Sequence, residues 1–182
     1  MRGYDAVRLA VPVSAHDHAR GPEDAPLTLV EYGDFECPAC GQAYPVVAAL
    51  RRELGDRLRI VFRNFPLGTV HPHATDAALA AEAAGLQGKF WGMHDVLYEN
   101  QEALEPGDLL RYAEALGLDT DRFEGDLRGE ACTRRVRQDF LGGARSGVNG
   151  TPTFFVNGVR HDGPFDFGSL ADALEAADRG GT

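Results

Sequence analysis

Residues 27–40 read LTLVEYGDFECPAC and place a strand pattern, a turn and a helix start in direct succession. The segment Leu27–Tyr32 is mostly apolar and rich in β-forming residues, which predicts a buried strand. A Gly-Asp pair then breaks the strand. Pro38 suits the first turn of a helix, because its missing N–H costs nothing there. The pattern therefore predicts a strand that leads into a helix, with Cys37 and Cys40 at the junction.

The following residues continue this helix and then begin a second strand. Apolar side chains recur on one helix face, at Ala43, Val46, Val47, Leu50 and Leu54. Gly55 predicts the end of the helix, and Leu58–Phe62 has the composition of another buried strand. Strand, helix and strand in this order form a βαβ unit, in which the two strands are parallel.

Residues 67–146 keep a helical period, and strand signals return only after them. Five helices are predicted in this block, at Ala74–Gly85 or Gly88, Phe90–Leu97, Pro106–Gly117, Asp119–Arg128 and Glu130–Arg145. Thr153–Val156 and Val159-Arg160 then flank Asn157-Gly158, which predicts a hairpin with a type I′ turn. A last amphipathic helix is predicted from Leu170, Ala173, Leu174 and Ala177, with its end at Gly180.

The N-terminal region predicts one further element. Val7–Val13 is expected to add an edge strand, whereas His16–Asp24 is polar and turn-rich. The apolar stretch Leu9–Val13 is shorter than the about 7–15 residues of a secretory signal core. We therefore expect a cytoplasmic protein, or a periplasmic or extracytoplasmic one whose signal has been removed.

The assembled order predicts an α/β fold, with a βαβ unit, an all-helical insertion and a ββα unit. We expect one domain over residues 1–182, with its core at 25–66 and 147–180 and an inserted helical subdomain at 67–146. The chain is 43% hydrophobic and 25% charged, as globular domains are. No apolar run approaches the about 18 residues of a membrane span. The net charge of −10 disfavours nucleic acid as a partner, since it repels phosphates.

The chemistry of the chain is predicted at Cys37 and Cys40. Their i,i+3 spacing at a helix start places both sulfurs on one side of the helix, close enough to bond. Unpaired N–H groups and the helix dipole stabilise a thiolate there, so the pKa of Cys37 should lie below that of a free thiol. Such a thiolate attacks or releases a disulfide through a mixed-disulfide intermediate, which the deeper Cys40 would resolve.

Two other interpretations of the cysteine pair remain open at this point. In the first, the pair is half of a zinc site, which needs two more ligands. The remaining donors have no zinc-ligand spacing: His71, His73, His94 and Cys132. In the second, both cysteines are structural residues at a strand–helix junction. A C-x-x-C motif near a βαβ pattern favours redox chemistry over both.

The segment Gly147–Thr153 is the second functional signal, because Pro152 stands directly before a strand. A cis peptide bond between Thr151 and Pro152 would turn the backbone of Thr151 outward, where an extended substrate chain can pair with it. An ordinary trans turn proline accounts for the same residues equally well.

Several segments resemble the DsbA family of thiol–disulfide oxidoreductases, within the thioredoxin superfamily. VEYGDFECPACG at 30–41 resembles the family's active-site segment, and GTPTFFVNG at 150–158 resembles its cis-proline segment. Four shorter segments are also similar to the family: FRNFPL at 62–67, HPHA at 71–74, QGKFW at 87–91 and LGLD at 116–119. The resemblance extends from about residue 20 to residue 178.

This resemblance implies a thioredoxin fold that carries a helical insertion. It implies that Cys37 attacks, that Cys40 resolves, and that a cis Pro152 lies opposite the disulfide, where it positions a partner chain together with Thr151. The implied partners are cysteine-containing protein substrates and a redox recycling partner. No metal, nucleotide or flavin cofactor is implied, since the dithiol is itself the redox group.

The chain departs from the family in three ways. The dipeptide between the cysteines is Pro38-Ala39, whereas strongly oxidising members carry Pro-His, whose cationic imidazole favours the thiolate. No signal peptide is visible. Cys132 is an additional cysteine on an apolar stripe with Val136 and Phe140. It is either a buried, inert thiol or a redox partner that accepts a disulfide from the other pair.

Other polar residues near the motif are candidates for supporting roles. Three carboxylates are possible proton acceptors for Cys40, or else exposed groups or turn caps: Glu31, Asp34 and Glu36. His71 and His73 lie at a helix start, where they are predicted to cap the helix. His94 is predicted to be a partly buried helix residue, and the aromatic residues around it are predicted to be core.

The sequence thus predicts a thiol–disulfide oxidoreductase that exchanges disulfides with protein cysteines. One alternative is a non-catalytic peptide-binding or chaperone module on the same fold. Another is a glutathione-dependent transferase or isomerase. The intact C-x-x-C motif argues against a pure binding module, which does not need both thiols.

Overall fold

The computed structural model describes residues 6–180. The strands of this part of the chain are β1 (His18–Arg20), β2 (Leu27–Gly33), β3 (Leu58–Asn64), β4 (Thr153–Val156) and β5 (Val159–His161). Its α-helices are α1 (Pro38–Leu54), α2 (Ala74–Gly85), α3 (Phe90–Glu99), α4 (Pro106–Ala115), α5 (Thr120–Leu127), α6 (Glu130–Arg145) and α7 (Phe167–Gly180). A 3-10 turn at Gly55–Arg57 separates α1 from β3.

The strands form one mixed sheet in the order β1-β3-β2-β4-β5. The central pair β2 and β3 is parallel, as the βαβ prediction requires, and the other neighbouring strands are antiparallel. Helices α2 to α6 come between β3 and β4 in the chain. The predicted α/β fold with a helical insertion between its two halves is therefore confirmed.

Side chains of β2 alternate between the two faces of the sheet, as a strand period of two requires. Leu27 and Leu29 belong to the apolar cluster formed with α1 and α7. Val30 and Tyr32 belong to the cluster on the opposite face. Glu31 consequently points to the same face as Leu29, and it shares a cavity lining with residues of α1.

The helical insertion shares its core with the start of α1. One apolar cluster contains residues of α2 to α6 together with Phe35, Cys37 and Cys40. Phe90 and Tyr98 are buried in this cluster, as predicted for the aromatic residues of α3, whereas Trp91 is half-buried and lines a cavity. The position of the cysteine pair therefore depends on packing from both parts of the chain.

The hairpin prediction is confirmed. β4 and β5 are antiparallel neighbours, and Val156 is opposite Val159. The two residues between the strands, Asn157 and Gly158, have φ angles of 46° and 80°. These positive values are those of a type I′ turn.

The prediction for the N-terminal region was wrong. The expected edge strand at Val7–Val13 is reduced to a single bridge between Arg8 and Val159. Pro12, which has no N–H to donate, lies within that stretch. The structure instead places β1 inside the segment that was predicted to be turn-rich.

Tertiary partners explain why the polar segment of β1 forms a strand. The His18 ring stacks on the Phe90 ring with 3.5 Å between centroids. Arg20 lies 4.4 Å above the centre of the Trp91 ring. Both aromatic residues belong to α3, so the partners that hold this edge strand are far away in the sequence.

Candidate active site

Cys37 immediately precedes α1, and Cys40 lies in the first turn of that helix. Cys37 has extended backbone angles, and Pro38 takes the first helical position, where a missing N–H costs nothing. Both cysteines are free thiols, so the structure represents the reduced dithiol. Cys37 is 7% exposed and Cys40 is fully buried. Cys37 is therefore the sulfur that a partner molecule can reach.

The surroundings of Cys37 favour its thiolate. The largest effect is a hydrogen bond from the Cys40 thiol, and burial opposes it. The Thr151 side chain and the backbone N–H groups of Cys40 and Ala39 add to the stabilisation, and together these groups lower the pKa of Cys37 to about 5. A thiol with this pKa is ionised at pH 7, which makes it both a ready nucleophile and a good leaving group.

Cys40 shows the opposite behaviour. Burial, the hydrogen bond to Cys37 and the charge of Glu31 raise its pKa far above that of a free thiol. Cys40 is therefore protonated at neutral pH and must lose its proton before it can attack a mixed disulfide at Cys37. The two thiols therefore differ both in accessibility and in the direction of their pKa shifts.

Of the three candidate carboxylates, Glu31 is the one whose charge acts on Cys40. Its side chain is buried, and burial followed by the charge of Cys37 raises its pKa to about 8. Within residues 6–180, its Oε1 atom has no hydrogen-bond partner. A cavity of about 240 Å³, lined also by Tyr44 and His94, reaches this side chain. The cavity has room for water, which occupies about 30 Å³ per molecule.

Asp34 and Glu36 connect the turn before α1 to the loop before α2. Asp34 accepts hydrogen bonds from the Leu67 N–H at 2.9 Å, from His71 Nδ1 at 2.8 Å and from the Glu36 N–H at 2.8 Å. Glu36 accepts hydrogen bonds from the His73 N–H at 2.6 Å and from His73 Nδ1 at 2.9 Å. The two carboxylates therefore hold the turn before α1 against the loop before α2.

The prediction that the two histidines cap a helix was wrong. His73 does occupy the N-cap position of α2, but its side chain makes no cap hydrogen bond. Both rings bind carboxylates of the turn before α1, which are stronger acceptors than neutral groups and form charge-assisted hydrogen bonds. His71 and His73 thus join the helical insertion to the active-site turn.

The cis-proline segment lies against Cys37. The peptide bond between Thr151 and Pro152 is cis, the geometry that the sequence resemblance implied. The Thr151 carbonyl oxygen lies 3.5 Å from Cys37 Sγ and can accept a hydrogen bond from it when Cys37 is protonated. Pairing of β4 with β2 begins only at Thr153, opposite Tyr32. The Thr151 backbone is therefore outside this ladder and next to the reactive sulfur, where an extended chain can add to it.

Gln101, in the loop between α3 and α4, is a site residue that sequence reasoning missed. Its Nε2 atom donates hydrogen bonds to the carbonyl oxygens of Phe35 and Cys37, both at 2.9 Å. Gly41 leaves the space for this side chain, because a Cβ atom at that position would clash with Gln101 Oε1. A glycine inside a helix is a sign of such a close approach, but it does not tell which residue approaches.

The donors considered for zinc are not brought together. Within residues 6–180, no group of three or more His, Cys, Asp and Glu side chains is arranged to hold a metal ion. His94 is buried rather than partly buried, and it packs edge-on against the rings of Phe35 and Phe62. Cys132 is 1% exposed in α6, and burial raises its pKa to about 11.

The fold and the dithiol at the start of α1 define a class of protein that comparison with known families identifies. The sequence profile of the family described as Thioredoxin matches residues 14–176. The chain therefore belongs to the thioredoxin family, and its fold is DsbA-like.

Two solved structures share the fold of this chain over nearly its whole length. A thioredoxin-like oxidoreductase from Silicibacter pomeroyi is 29% identical, has a TM-score of 0.81, and the match covers 91% of this chain and 94% of that one. Oxidised BdbD from Bacillus subtilis is 25% identical, has a TM-score of 0.83, and the match covers 97% and 100% of the two chains. These likenesses confirm the predicted thioredoxin fold with its helical insertion.

The curated relatives carry a different name. The Na(+)/H(+) antiporter NhaA 3 of Salinispora tropica is 52% identical over 172 residues, which are 94% of this chain and 26% of that protein. The Na(+)/H(+) antiporter NhaA 1 of Mycolicibacterium vanbaalenii is 49% identical over 176 residues, or 28% of its length. The chain thus spans about a quarter of the length of these relatives.

Between residues 6 and 180, no helix combines the length and the apolar character that crossing a bilayer requires.

Proposed function

We propose that this chain is a thiol–disulfide oxidoreductase that exchanges disulfides with the cysteines of other proteins through Cys37 and Cys40. The observation that carries the proposal is the opposite ionisation of the two thiols. The pKa of Cys37 is about 5, whereas that of Cys40 lies far above the ordinary value. One sulfur is thus an accessible nucleophile and leaving group, and the other is a protected thiol that acts second.

The exchange proceeds in two displacements. A substrate thiolate attacks Cys37 Sγ of the oxidised protein; the substrate–Cys37 bond forms and the Cys37–Cys40 bond breaks. Cys40 leaves with the electron pair and takes up a proton, for which the protonated Glu31 is the buried acid in electrostatic contact with it. A second substrate thiolate then attacks the substrate sulfur and releases Cys37 as a thiolate. The substrate is oxidised to a disulfide, and the protein gains two electrons.

The low pKa of Cys37 supports the oxidising direction, because a stabilised thiolate stabilises the reduced form of the pair. In that direction a redox recycling partner removes two electrons from the reduced dithiol. Equilibration in glutathione buffers measures the reduction potential, which we expect to be more positive than about −200 mV. A potential at or below about −270 mV, as in thioredoxin, would contradict the oxidising direction.

The exchange itself is tested with two cysteine variants and one control. Oxidised protein should form the disulfide of a reduced two-cysteine peptide, and Cys37→Ser should abolish this turnover. Cys40→Ser has no internal disulfide to donate, but its Cys37 thiolate should attack substrate disulfides and accumulate mixed disulfides, because the internal thiol that would displace them is absent. Cys132→Ser is the control and should retain the turnover. Full turnover by Cys37→Ser would overturn the proposal.

The same assay separates the two alternative functions. A binding or chaperone module would hold an unfolded client without any change in the redox state of Cys37 and Cys40. A glutathione-dependent enzyme would be saturated by glutathione without disulfide exchange.

A membrane partner is a second proposal, and the names of the curated relatives support it. This chain matches about a quarter of the length of proteins that are named Na(+)/H(+) antiporters. We therefore propose that the redox unit acts on such a transporter or beside it. Cys40→Ser expressed in cells should then trap an antiporter as a mixed disulfide. If other proteins are trapped but no antiporter is among them, the proposal of an antiporter as partner is wrong.

A further inference from the structure

The dipeptide Pro38-Ala39 leaves one question about the Cys37 thiolate. Neither residue carries a charge, so the segment between the cysteines contains no cation to face the sulfur. A thiolate is stabilised by nearby positive charge as well as by hydrogen bonds. Any cation that adds to the hydrogen bonds on this sulfur therefore comes from another part of the chain.

His71 lies in the loop between β3 and α2, and Asp34 holds it next to the active-site turn. Its Nδ1 atom is 2.8 Å from Asp34 Oδ2, and the Asp34 side chain has no exposed surface. The backbone carbonyl of Asp34 accepts a hydrogen bond from the Cys37 N–H at 3.2 Å. One buried residue thus positions both the imidazole ring and the backbone of the reactive cysteine.

We propose that His71, which Asp34 holds next to the active-site turn, supplies positive charge that stabilises the Cys37 thiolate. The inference rests on the proposed thiol–disulfide exchange and names a positioning residue for it. His71 acts on the charge of the sulfur and forms no covalent bond during the exchange.

The charges around the ring fit this role. Burial lowers the pKa of His71, but the hydrogen bond to Asp34 and the charges of Asp34, Cys37 and Glu36 outweigh burial and raise it. These two carboxylates and the one thiol exert the largest charge effects on the ring. Among the described residues, Nε2 has no hydrogen-bond partner, and the side chain is 17% exposed.

His73 provides a natural control two residues further on. Its ring also binds carboxylates, at 2.9 Å from Glu36 and 3.1 Å from Glu105. Its pKa is raised first by the hydrogen bond to Glu36 and then by the hydrogen bond to Glu105. The largest effects on His73 thus come from two acids, whereas those on His71 include the charge of Cys37.

Thermodynamic linkage gives a test on the unaltered protein. If His71 stabilises the thiolate, the thiolate must raise the pKa of His71 by the same factor. Oxidation to the disulfide removes the negative charge. We therefore expect NMR titration to give a His71 pKa lower by about half a unit or more in the oxidised protein, and an unchanged His73 pKa. Equal His71 pKa values in both redox states would overturn the proposal.

A pair of histidine variants tests the same coupling through its effect on the ionisation of Cys37. His71→Asn retains a donor for Asp34 and removes the charge, and His73→Asn does the same at the control position. At pH 5 the thiolate fraction of Cys37 is about a half, and a rise of about half a pKa unit lowers it to about a quarter. His71→Asn should therefore slow alkylation of Cys37 by iodoacetamide by about twofold or more at this pH. His73→Asn should leave the rate unchanged. Equal slowing by both variants would show general loosening of the loop and would overturn the specific role of His71.

These readouts do not depend on turnover. If the peptide assay fails while the histidine titration shifts with redox state, the proposed function is wrong and the coupling stands. If turnover is present and the titration does not shift, the exchange stands and the role of His71 is wrong.

Discussion

Gln101 Nε2 donates a hydrogen bond of 2.9 Å to the carbonyl oxygen of Cys37, across 64 positions of the sequence. The same atom also binds the carbonyl oxygen of Phe35. The helical insertion therefore holds the turn that carries the reactive cysteine, in addition to sharing an apolar cluster with it. Contacts of this kind couple the geometry of the thiol to the packing of the insertion.

Replacing Gln101 should alter the thiol as well as the stability. Gln101→Ala removes one donor each from the carbonyl oxygens of Phe35 and Cys37, and the Cys37 carbonyl keeps only the Gly41 N–H at 3.1 Å. This loss costs about 1–3 kcal/mol of unfolding free energy. The Cys37 carbonyl dipole would be less neutralised, so the pKa of Cys37 should rise and its alkylation at pH 5 should slow.

Gln87→Ala is the matched control for Gln101→Ala. Gln87 also makes two hydrogen bonds to backbone groups, both on Asp119, at 2.9 and 3.1 Å. Urea unfolding should show similar losses for the two variants, and only Gln101→Ala should change the alkylation rate. Identical alkylation in both variants would mean that Gln101 has a purely structural role.

Gly41→Ala should destabilise the protein in a way that depends on Gln101. Alanine is favoured over glycine inside a helix by about 1 kcal/mol, but the new Cβ atom would clash with the Gln101 side chain. In the Gln101→Ala background the same substitution should stabilise α1. A double-mutant cycle by urea unfolding measures the difference, and additive effects would argue against the contact.

The reactivity of Cys37 should follow a titration with its midpoint near pH 5. Its pKa is lowered to about 5, so the thiolate persists down to that pH and is lost as the pH falls further. We measure the rate at which iodoacetamide alkylates Cys37 and divide it by the rate at which it alkylates glutathione at the same pH. This ratio reports the fraction of Cys37 that is ionised. A midpoint near pH 8.5, the value of a free thiol, would contradict the described environment.

Glu31→Gln should remove a pH dependence of stability. The pKa of Glu31 is raised to about 8 in the folded protein, whereas it is near 4.5 in the unfolded chain. The contribution of Glu31 to the unfolding free energy is therefore fully present below pH 4.5 and is lost as the pH rises through 8. We compare the unfolding free energy of Glu31→Gln with that of the protein that keeps Glu31, both in a Cys37→Ser/Cys40→Ser background. Between pH 5 and pH 8.5, this difference should change by on the order of 3 kcal/mol in favour of Glu31→Gln. Urea unfolding at both pH values measures this, and the exposed Glu124→Gln should show no such gain.

Cys132 should remain outside the redox chemistry. It is buried, with its pKa raised to about 11, so its thiolate is scarce at neutral pH. Cys132→Ser should leave the glutathione titration of the other pair unchanged. A shifted potential, or a disulfide between Cys132 and Cys37 in oxidised protein, would assign it a redox role.

Elements with a strong apolar period were predicted correctly. The buried strand Leu27–Gly33, the amphipathic helix Pro38–Leu54 and the hairpin around Asn157-Gly158 are each specified by residues that are neighbours in sequence. The strand His18–Arg20 was missed because its polar residues show no strand pattern, and its stabilising partners lie on α3. Local periodicity reports which side chains are buried, and it is silent about polar segments that a distant ring stabilises.

The features of the candidate site also fall into those that local sequence specifies and those that depend on tertiary packing. The sequence alone specified the cysteine pair at a helix start and the proline before a strand, because spacing and backbone chemistry fix both locally. Only the tertiary structure decided which carboxylate faces the thiols, that His71 binds Asp34 across 37 positions, and that Gln101 holds the turn. A hydrogen bond needs two groups at a fixed distance and angle, and that geometry exists only after the sheet and the helical insertion have packed together.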